Sequence, residues 1–306
     1  MKYGAHIFLW VERWSPGALG LFDRARGLGL DCVEIAVGDD VDFDAKAVRA
    51  RAGAAGVEVV LSPGAEWPME CDISHDDAAC RRRGIAWHRR WIAAAAEAGA
   101  VAYTGAIYGH PGRVLRRRPD PDEFRRAADG LRELAEHGAG LGVRLVIEPM
   151  SHFRTHLVNT PAQAMDLVRA AGHANLSILF DTYHAVTELR DYAGAARAAR
   201  PRLWGLHACE NDRGVPGGGL VPWKALFAAL GEAGFDDLSA CNAQAGRGFG
   251  ERGFGERGFD GYVILETYNS SLGDFAFSRG MFHNVCPDGD AFVREGLRFL
   301  KGLRTG

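Results

Sequence analysis

The sequence lacks the features of membrane-spanning, secreted and nucleic-acid-binding proteins. It contains no apolar run of about 18 residues, so we expect no membrane span. The N-terminus becomes polar at Glu12 and Arg13, which is too early for a signal peptide. Six cysteines are spread along the chain without a C-x-x-C pair, which predicts reduced thiols and a cytoplasmic protein. The net charge of -3 gives no bias towards polyanions, so neither a nucleic acid nor a membrane is an expected partner.

A β-rich run, a loop, an amphipathic segment and a glycine recur along all 306 residues. Glycine ends a helical segment before an apolar run in AAGVEVV and GLGVRLVI, and TPAQ at Thr160 is a typical helix start. Eight such units predict a single closed (β/α)8 TIM barrel over residues 1–306 rather than an open sheet. No G-x-G-x-x-G follows the first strand, which disfavours dinucleotide binding. The predicted strands are Tyr3–Leu9, Cys32–Val37, Glu58–Leu61, Ala102–Ile107, Arg144–Ile147, Leu176–Phe180, Leu203–Leu206 and Tyr262–Leu265, and predicted helices include Ala18–Leu28, Ala78–Ala98, Pro121–Gly140, Pro161–Ala171, Trp223–Ala233 and Asp290–Leu303.

The segment Gly248–Gly261 interrupts this pattern with GFGERGFGERGFDG, a tandem repeat. Glycine at this density disfavours both helix and strand, so we predict a loop insertion over residues 240–260, before the eighth strand. One interpretation is a lid or subunit contact built on Phe249, Phe254 and Phe259. The other is a duplicated insertion without a function of its own.

Four consecutive predicted strands each end on a residue that binds metals well. These residues are Glu148 in LVIEP, Asp181 in ILFDTYH, His207 in WGLHACE and Glu266 in VILET. Because the strands of such a barrel expose their C-terminal ends at one rim, we expect the four side chains to meet. Three carboxylates and one imidazole suit Mn²⁺, Mg²⁺ or Co²⁺ better than structural zinc. Histidines in helix or loop contexts are interpreted instead as surface or capping residues: His75, His88, His137 and His173.

The motifs IEP…THLVNTP, FDTYH, LHACENDRGVPGGGLVPW and LET resemble those of the sugar phosphate isomerase/epimerase family, the xylose isomerase-like barrels. Within this family the chain is most similar to ketose 3-epimerases of the tagatose and psicose (allulose) type. The stretch CDISHDDAACRRRGI also resembles the loop and helix after strand three in that group. The likeness covers nearly the whole chain except the insertion. It implies a metal-dependent isomerase that assembles as a homodimer or homotetramer.

The resemblance also implies roles for individual residues. The four strand-end residues would bind one divalent ion, with Mn²⁺ as the first choice, and Glu148 and Glu266 would also act as base and acid. One glutamate would remove the proton beside the carbonyl, and the other would return a proton to the opposite face of an enediolate that the metal stabilises. His184 and Arg213 match positions that hold substrate oxygens. Their alternative roles are a cap for His184 and, for Arg213, an ion pair with the acids of its own ENDRG segment.

Four positions depart from the ketose 3-epimerase pattern. Arg154 stands where the family carries a glutamate, and His152 stands where an arginine or similar residue is common. His110 and His6 replace an aromatic residue, often tryptophan, and a phenylalanine of the sugar pocket. We therefore expect an unchanged enolisation site with a rebuilt substrate shell. Arg154 would suit a carboxylate or phosphate of the substrate, unless it turns outwards to a neighbouring acid.

These observations leave several functions open. The first is C3 epimerisation of a free ketose, such as fructose to psicose or tagatose to sorbose. The rebuilt shell also permits the same chemistry on another polyol, as an inosose isomerase or dehydratase or a 3-keto-glycoside lyase. An abasic-site endonuclease of this fold would need a three-metal cluster and a positive DNA groove, which the sequence does not indicate. A non-catalytic sugar-binding module would not need both glutamates.

Overall fold

Eight parallel strands form a closed barrel in the computed structural model, which describes residues 1–232, 254–255 and 258–303. The strands in chain order are β1 (Lys2–His6), β2 (Cys32–Ala36), β3 (Glu58–Ser62), β4 (Ala102–Gly105), β5 (Arg144–Ile147), β6 (Leu176–Asp181), β7 (Leu203–Ala208), β8 (Phe254–Gly255), β9 (Gly258–Phe259) and β10 (Tyr262–Leu265). The barrel order is β1-β10-β7-β6-β5-β4-β3-β2, and β8 and β9 form a separate two-stranded ladder. The predicted (β/α)8 barrel is confirmed. That residues 1–306 form one domain stays a prediction.

The helices surround the barrel, and seven of the ten in the described residues begin at a side-chain cap. They are α1 (Leu21–Gly27), α2 (Ala45–Ala55), α3 (Ala78–Ala98), α4 (Pro121–Leu141), α5 (Pro161–Ala171), α6 (Thr182–Ala185), α7 (Tyr192–Ala199), α8 (Trp223–Gly231), α9 (Phe275–Ser278) and α10 (Gly289–Gly302). At α5 the hydroxyl of Thr160 accepts a hydrogen bond from the Gln163 backbone, and the Gln163 side chain accepts from the Thr160 backbone. The helix ends at Gly172 with φ 64°, a left-handed conformation that favours glycine. No helix in the described parts of the chain combines the length and apolar character that a membrane crossing requires.

The first strand is shorter than predicted. It ends at His6, and Ile7–Leu9 forms a 3₁₀ helix in place of the predicted strand end. The cause is local, because Nδ1 of His6 accepts a hydrogen bond from the backbone of Phe8 and turns the chain. The strand therefore directs His6 towards the C-terminal rim of the barrel, where the loops begin.

A small apolar cluster fills part of the barrel interior, separate from the larger core between strands and helices. Its members come from every barrel strand except β1: Cys32, Val60, Ala102, Val146, Leu179, Trp204, Tyr262 and Ile264. The rings of Trp204 and Tyr262 stack within it at 4.4 Å. Interior side chains of this kind make the barrel a packed core rather than a pore.

His88 belongs to the core, so the interpretation of this residue as a surface or capping histidine is wrong. It lies on α3 with no exposed surface, and its Nδ1 is 3.0 Å from the hydroxyl of Tyr103 in β4. It shares the buried face of the helix with Gly84, Trp91 and Ala95, at intervals of about one or two turns.

Most of the predicted insertion, including Phe249, lies outside the described residues. In the described part, Phe254 pairs with Phe259 and Gly255 with Gly258 in the antiparallel ladder of β8 and β9. The expectation of a loop without strands is wrong at these four positions, because backbone pairing of the repeat offsets the low strand preference of glycine. The two interpretations of the insertion stay open.

Candidate metal centre

Four side chains from adjacent strands meet at the C-terminal rim of the barrel. Glu148 directly follows β5, Asp181 ends β6, His207 lies near the end of β7 and Glu266 directly follows β10. One potential ligand atom from each lies within 4.8 Å of the others, and all four residues are buried. They meet because neighbouring parallel strands are in register, with Asp181 opposite His207. The group could hold a metal ion.

The imidazole of His207 lies at the centre of this group. Its Nδ1 is 2.9 Å from Oε1 of Glu148 and 3.4 Å from Oε2 of Glu266. Its Nε2 is 2.8 Å from Oε2 of Glu34 on the other side of the ring. Burial disfavours the imidazolium, but the three carboxylates outweigh burial and raise the pKa of His207 well above its ordinary value. The Nδ1 side of His207 therefore faces the candidate ligands, and Glu34 holds the Nε2 side.

Glu34 is a site residue that the sequence reasoning missed. It lies in β2 with no exposed surface, and the hydroxyl of Thr104 donates a 2.7 Å hydrogen bond to its Oε1. Burial opposes its ionisation, but His207 outweighs this effect and lowers the pKa of Glu34. The sequence did contain an indication of this role. Glu34 is a charged residue inside the apolar strand CVEIAV, where an unpaired carboxylate would be costly.

Arg213 supplies the positive charge of the site. Its Nη1 lies 2.5 Å from Oε2 of Glu266 and 3.1 Å from Oδ2 of Asp181, and the residue is buried. It does not pair with Glu210, whose carboxylate accepts hydrogen bonds from the 217–223 segment instead. Its φ of 67° is the only positive value outside glycine among the described residues, which is costly and is found mostly at functional sites.

The pKa values of the two glutamates of the group are shifted in opposite directions. Burial raises the pKa of Glu148 to about 7 against the opposing charge of His207. Burial alone would raise the pKa of Glu266 as well. The positive charges of Arg213 and then His207 outweigh burial, so the pKa of Glu266 lies well below its ordinary value. One carboxylate is therefore disposed to carry a proton, and the other is held ionised.

The donor set fits a divalent cation. Asp181 uses Oδ1 to accept a hydrogen bond from the backbone of Tyr183 at the start of α6. Its Oδ2 is buried and accepts no hydrogen bond from the described residues, although Nη1 of Arg213 forms an ion pair with it at 3.1 Å. A buried carboxylate oxygen is costly unless a cation compensates it. Three carboxylates and one imidazole nitrogen form the oxygen-rich set that Mn²⁺ or Mg²⁺ accepts.

His184 and His6 lie beside this group. Nδ1 of His184 is 3.4 Å from the hydroxyl of Ser151, and its Nε2 is 3.4 Å from Nη2 of Arg213. Burial lowers the pKa of His184 to about 4, so it is a neutral hydrogen-bonding group. Nε2 of His6 is 3.5 Å from the hydroxyl of Ser62. Burial lowers its pKa too, although Glu34 and Glu266 oppose this shift, so His6 is within the field of the carboxylates.

The remaining predicted residues lie away from the carboxylates. Nε2 of His110 donates a 2.7 Å hydrogen bond to the backbone oxygen of Trp67. His152 is 53% exposed, and its Nδ1 is 2.6 Å from Oε1 of Glu188. Arg154 is exposed. The structure does not bring these three side chains into the group, and their substrate-binding roles stay predictions.

Comparison with known proteins places the chain in a family. The family model described as xylose isomerase-like TIM barrel matches residues 22–253. The chain belongs to this family. The predicted resemblance is confirmed.

The chain is similar to several sugar epimerases of this family. A D-psicose 3-epimerase of Agrobacterium fabrum is 28% identical over 232 residues, which cover 75% of this chain and 80% of that protein. A ketose 3-epimerase of Arthrobacter globiformis is 25% identical over 316 residues, which cover 99% of each chain. The structure of an L-ribulose 3-epimerase matches with a TM-score of 0.82 and 25% identity, covering 99% of this chain and 96% of the other.

Proposed function

We propose that the chain epimerises a ketose at carbon 3 with the help of one divalent metal ion, Mn²⁺ in the first place. The supporting observation is the pair Glu148 and Glu266, which lie on either side of Nδ1 of His207 within one buried group of potential metal ligands. The related psicose, ketose and ribulose 3-epimerases support the same assignment. A dimer or tetramer in the cytoplasm remains the expected state.

The two carboxylates would carry the protons of the reaction. Glu266, ionised beside Arg213, removes the proton from carbon 3, and the electron pair moves to the neighbouring carbonyl to form an enediolate. Glu148 returns a proton to the opposite face of carbon 3, and the reverse reaction exchanges the two roles. A divalent cation held by Glu148, Asp181, His207 and Glu266 supplies Lewis-acid polarisation of the substrate oxygens. His184 and Arg213, whose Nη2 lies 3.4 Å from Nε2 of His184 as the donor, would hold those oxygens.

A proton-exchange experiment tests this proposal. Purified protein with Mn²⁺ is incubated in D₂O with fructose, psicose, tagatose or sorbose, and the products are followed by NMR. We expect fructose and psicose, or tagatose and sorbose, to interconvert with deuterium at carbon 3. No exchange with any of the four ketoses would overturn the proposal for free ketoses.

A second candidate is the same enolisation on another polyol, as an inosose isomerase or dehydratase or a 3-keto-glycoside lyase. Its supporting observation is an apolar rim on the loops that follow β3, β5, β7 and β10, at the same end of the barrel as the metal group. Five of the six exposed large hydrophobic side chains among the described residues lie there: Met69, Phe153, Leu220, Phe277 and Phe282. An apolar rim of this kind suits a substrate with an apolar aglycone. Deuterium exchange into a 3-keto-glucoside or an inosose, without ketose turnover, would favour this candidate.

A further inference from the structure

A layer of polar side chains lies inside the barrel, between the small apolar cluster and the C-terminal rim. Side chains alternate along a strand, so Glu34, Ser62 and Thr104 face the interior two positions after cluster members of β2, β3 and β4. His6 of β1 lies opposite Glu34 in the strand register, and its Nε2 is 3.5 Å from the hydroxyl of Ser62. The candidate metal ligands complete the layer on β5, β6, β7 and β10. Every barrel strand therefore brings one polar side chain to this layer.

Two further members of the layer already serve the metal group. Thr104 donates a hydrogen bond to Glu34, which holds Nε2 of His207, and neither Thr104 nor Glu34 has exposed surface. His6 and Ser62 are 2% and 8% exposed, which matches the range of 2% to 9% for the four candidate metal ligands. This pair is therefore as accessible from the mouth of the barrel as the metal group.

The imidazole of His6 presents a hydrogen-bond donor to the mouth. Its Nδ1 accepts a 3.2 Å hydrogen bond from the backbone N–H of Phe8, so the ring proton lies on Nε2. The ring also packs on that of Phe8, with the two centroids 4.2 Å apart. These two contacts fix the direction of the Nε2–H group.

The hydroxyl of Ser62 is held beside this donor. The backbone oxygen of Ser62 accepts hydrogen bonds from the backbones of Val37 and Gly64, at 2.8 Å and 2.9 Å, which fixes the end of β3. Among the described residues His6 is the only hydrogen-bond partner of the hydroxyl. Their separation of 3.5 Å exceeds the usual length of about 2.9 Å. The two side chains therefore keep unused hydrogen-bonding capacity.

A hydroxyl group of a ligand fits these two atoms. An oxygen about 2.9 Å from each accepts a hydrogen bond from Nε2 of His6 and donates one to Oγ of Ser62. A ligand without that hydroxyl displaces water from both groups and returns no hydrogen bond, which is costly at buried positions. The pair therefore favours a ligand that carries a hydroxyl at this point.

The position of the pair indicates which hydroxyl this is. In the closed barrel β2 lies opposite β6, and β1 and β3 flank β2. The pair therefore lies across the barrel from Asp181 at the end of β6. In the proposed reaction carbons 2 and 3 of the ketose lie at the metal group, and carbon 1 is one bond from the carbonyl. Only the arm of carbons 4 to 6 is long enough to extend from the metal group towards the pair.

We propose that His6 and Ser62 are specificity residues that bind one hydroxyl on carbons 4 to 6 of the ketose, with Nε2–H of His6 as the donor and Oγ of Ser62 as the acceptor. This inference rests on the proposed C3 epimerisation. The protein would then turn over ketoses that carry this hydroxyl and discriminate against the corresponding deoxyketose.

The kinetic test compares fructose with 4-deoxy-, 5-deoxy- and 6-deoxyfructose as substrates of the Mn²⁺-loaded protein. We expect kcat/KM for one of the three deoxyketoses to lie about tenfold or more below that for fructose, because two hydrogen bonds are lost. Ser62→Ala and His6→Phe should each lower kcat/KM for fructose about three- to tenfold and have little further effect on that for this deoxyketose. Ser177→Ala is the matched control, since Ser177 is also 8% exposed but lies at the other end of β6 from Asp181. An equal loss for all four ketoses in both variants would show a structural role only and overturn the inference.

A binding test separates this inference from the proposed reaction. The Mn²⁺-loaded protein is titrated calorimetrically with glucitol and with 4-deoxy-, 5-deoxy- and 6-deoxyglucitol, which are acyclic and do not react. We expect one of the deoxy compounds to bind about tenfold more weakly than glucitol, and Ser62→Ala to reduce this difference. Equal affinities, a difference that is unchanged in Ser62→Ala, or no binding of glucitol would overturn the inference.

A difference that Ser62→Ala reduces, without exchange of any ketose, would instead overturn C3 epimerisation and leave the hydroxyl site standing. His6→Phe also removes the hydrogen bond to the backbone of Phe8. Ser62→Ala leaves that bond in place, so it tests the inference even if His6→Phe does not fold.

Discussion

The carboxylate of Glu34 lies 2.8 Å from Nε2 of His207, on the opposite side of the imidazole from Glu148. Thr104 in turn donates to the second oxygen of Glu34, so the carboxylate is fixed at both ends. A histidine that binds a metal through one nitrogen commonly donates the other N–H to a carboxylate, which sets its tautomer and orientation. Glu34 therefore positions His207 with Nδ1 towards the other three candidate ligands.

Glu34→Gln should weaken Mn²⁺ binding about 10- to 100-fold, the usual effect of losing such a supporting carboxylate. The amide keeps the size of the side chain but removes the charge that fixes the ring of His207. Calorimetric titration of the purified variant with Mn²⁺ measures the change. Glu58→Gln is the control, since Glu58 begins β3 at the opposite end of the barrel and contacts Lys2 and Tyr262. Wild-type affinity in Glu34→Gln would contradict this role.

Glu266→Gln should lower the rate of C3 deuterium exchange about 10²- to 10⁴-fold at saturating Mn²⁺, because an amide cannot accept the proton. Glu148→Gln should do the same, because it cannot return a proton. Glucitol affinity at saturating Mn²⁺ should be largely kept in both variants. Glu232→Gln, which alters an exposed pair with Arg197, should exchange at the wild-type rate. Exchange at the wild-type rate in Glu266→Gln would remove Glu266 from the mechanism.

Glu123→Gln should lower the free energy of unfolding by about 2 kcal/mol, because it weakens the charge-assisted hydrogen bonds that the buried carboxylate accepts from Arg113 and Arg117. Glu123 has no exposed surface and lies 3.2 Å from Arg113, 3.0 Å from Arg117 and 3.1 Å from His156. These contacts join the loops that follow β4 and β5. Urea unfolding measures the loss. The same substitution at Glu133, an exposed residue of the same helix, should cost less than about 1 kcal/mol.

His88 should make the fold less stable as the pH falls. Burial, with a smaller contribution from His110, lowers its pKa from 6.5 to about 3 in the folded chain. Between pH 6.5 and pH 3 the unfolded state therefore binds a proton at His88 that the folded state does not. The contribution of His88 to the free energy of unfolding is fully present above pH 6.5 and is lost as the pH falls towards 3. From pH 8 to pH 5, His88 alone should lower the free energy of unfolding by about 2 kcal/mol.

Urea unfolding of His88→Phe and wild type across that pH range measures the effect of His88. The variant is expected to lose the hydrogen bond with Tyr103 at every pH but to show a weaker dependence on pH. His283→Gln changes an exposed histidine and should keep the wild-type dependence. Parallel curves for wild type and His88→Phe would show that His88 does not carry this pH dependence.

The barrel and the four strand-end residues could be predicted from the sequence because their causes are local. Glycine and cap residues such as Thr160 and Gly172 mark helix ends within a few positions. Once eight β/α units are recognised, closure of a parallel barrel leaves one rim for the ends of all strands. Glu148 and Glu266 were therefore predicted to meet although 118 positions separate them.

Contacts between side chains could not be predicted in the same way. Glu34 meets His207 across 173 positions only because β1 and β10 close the barrel between β2 and β7. Arg213 pairs with Asp181 and Glu266 rather than with its sequence neighbours, since its left-handed backbone directs the side chain into the site. The partner of a long charged side chain depends on which oxygens lie within a few ångströms after folding.

The sequence by itself thus determined the fold and the members of the candidate metal group, because periodicity, capping and strand order are repeated along the chain and constrain one another. Only the tertiary structure decided how the charges of the site are compensated. It paired His207 with Glu34, paired Arg213 with Asp181 and Glu266, and buried His88. The physical reason is that compensation of a charge depends on distances of a few ångströms, which sequence spacing does not fix.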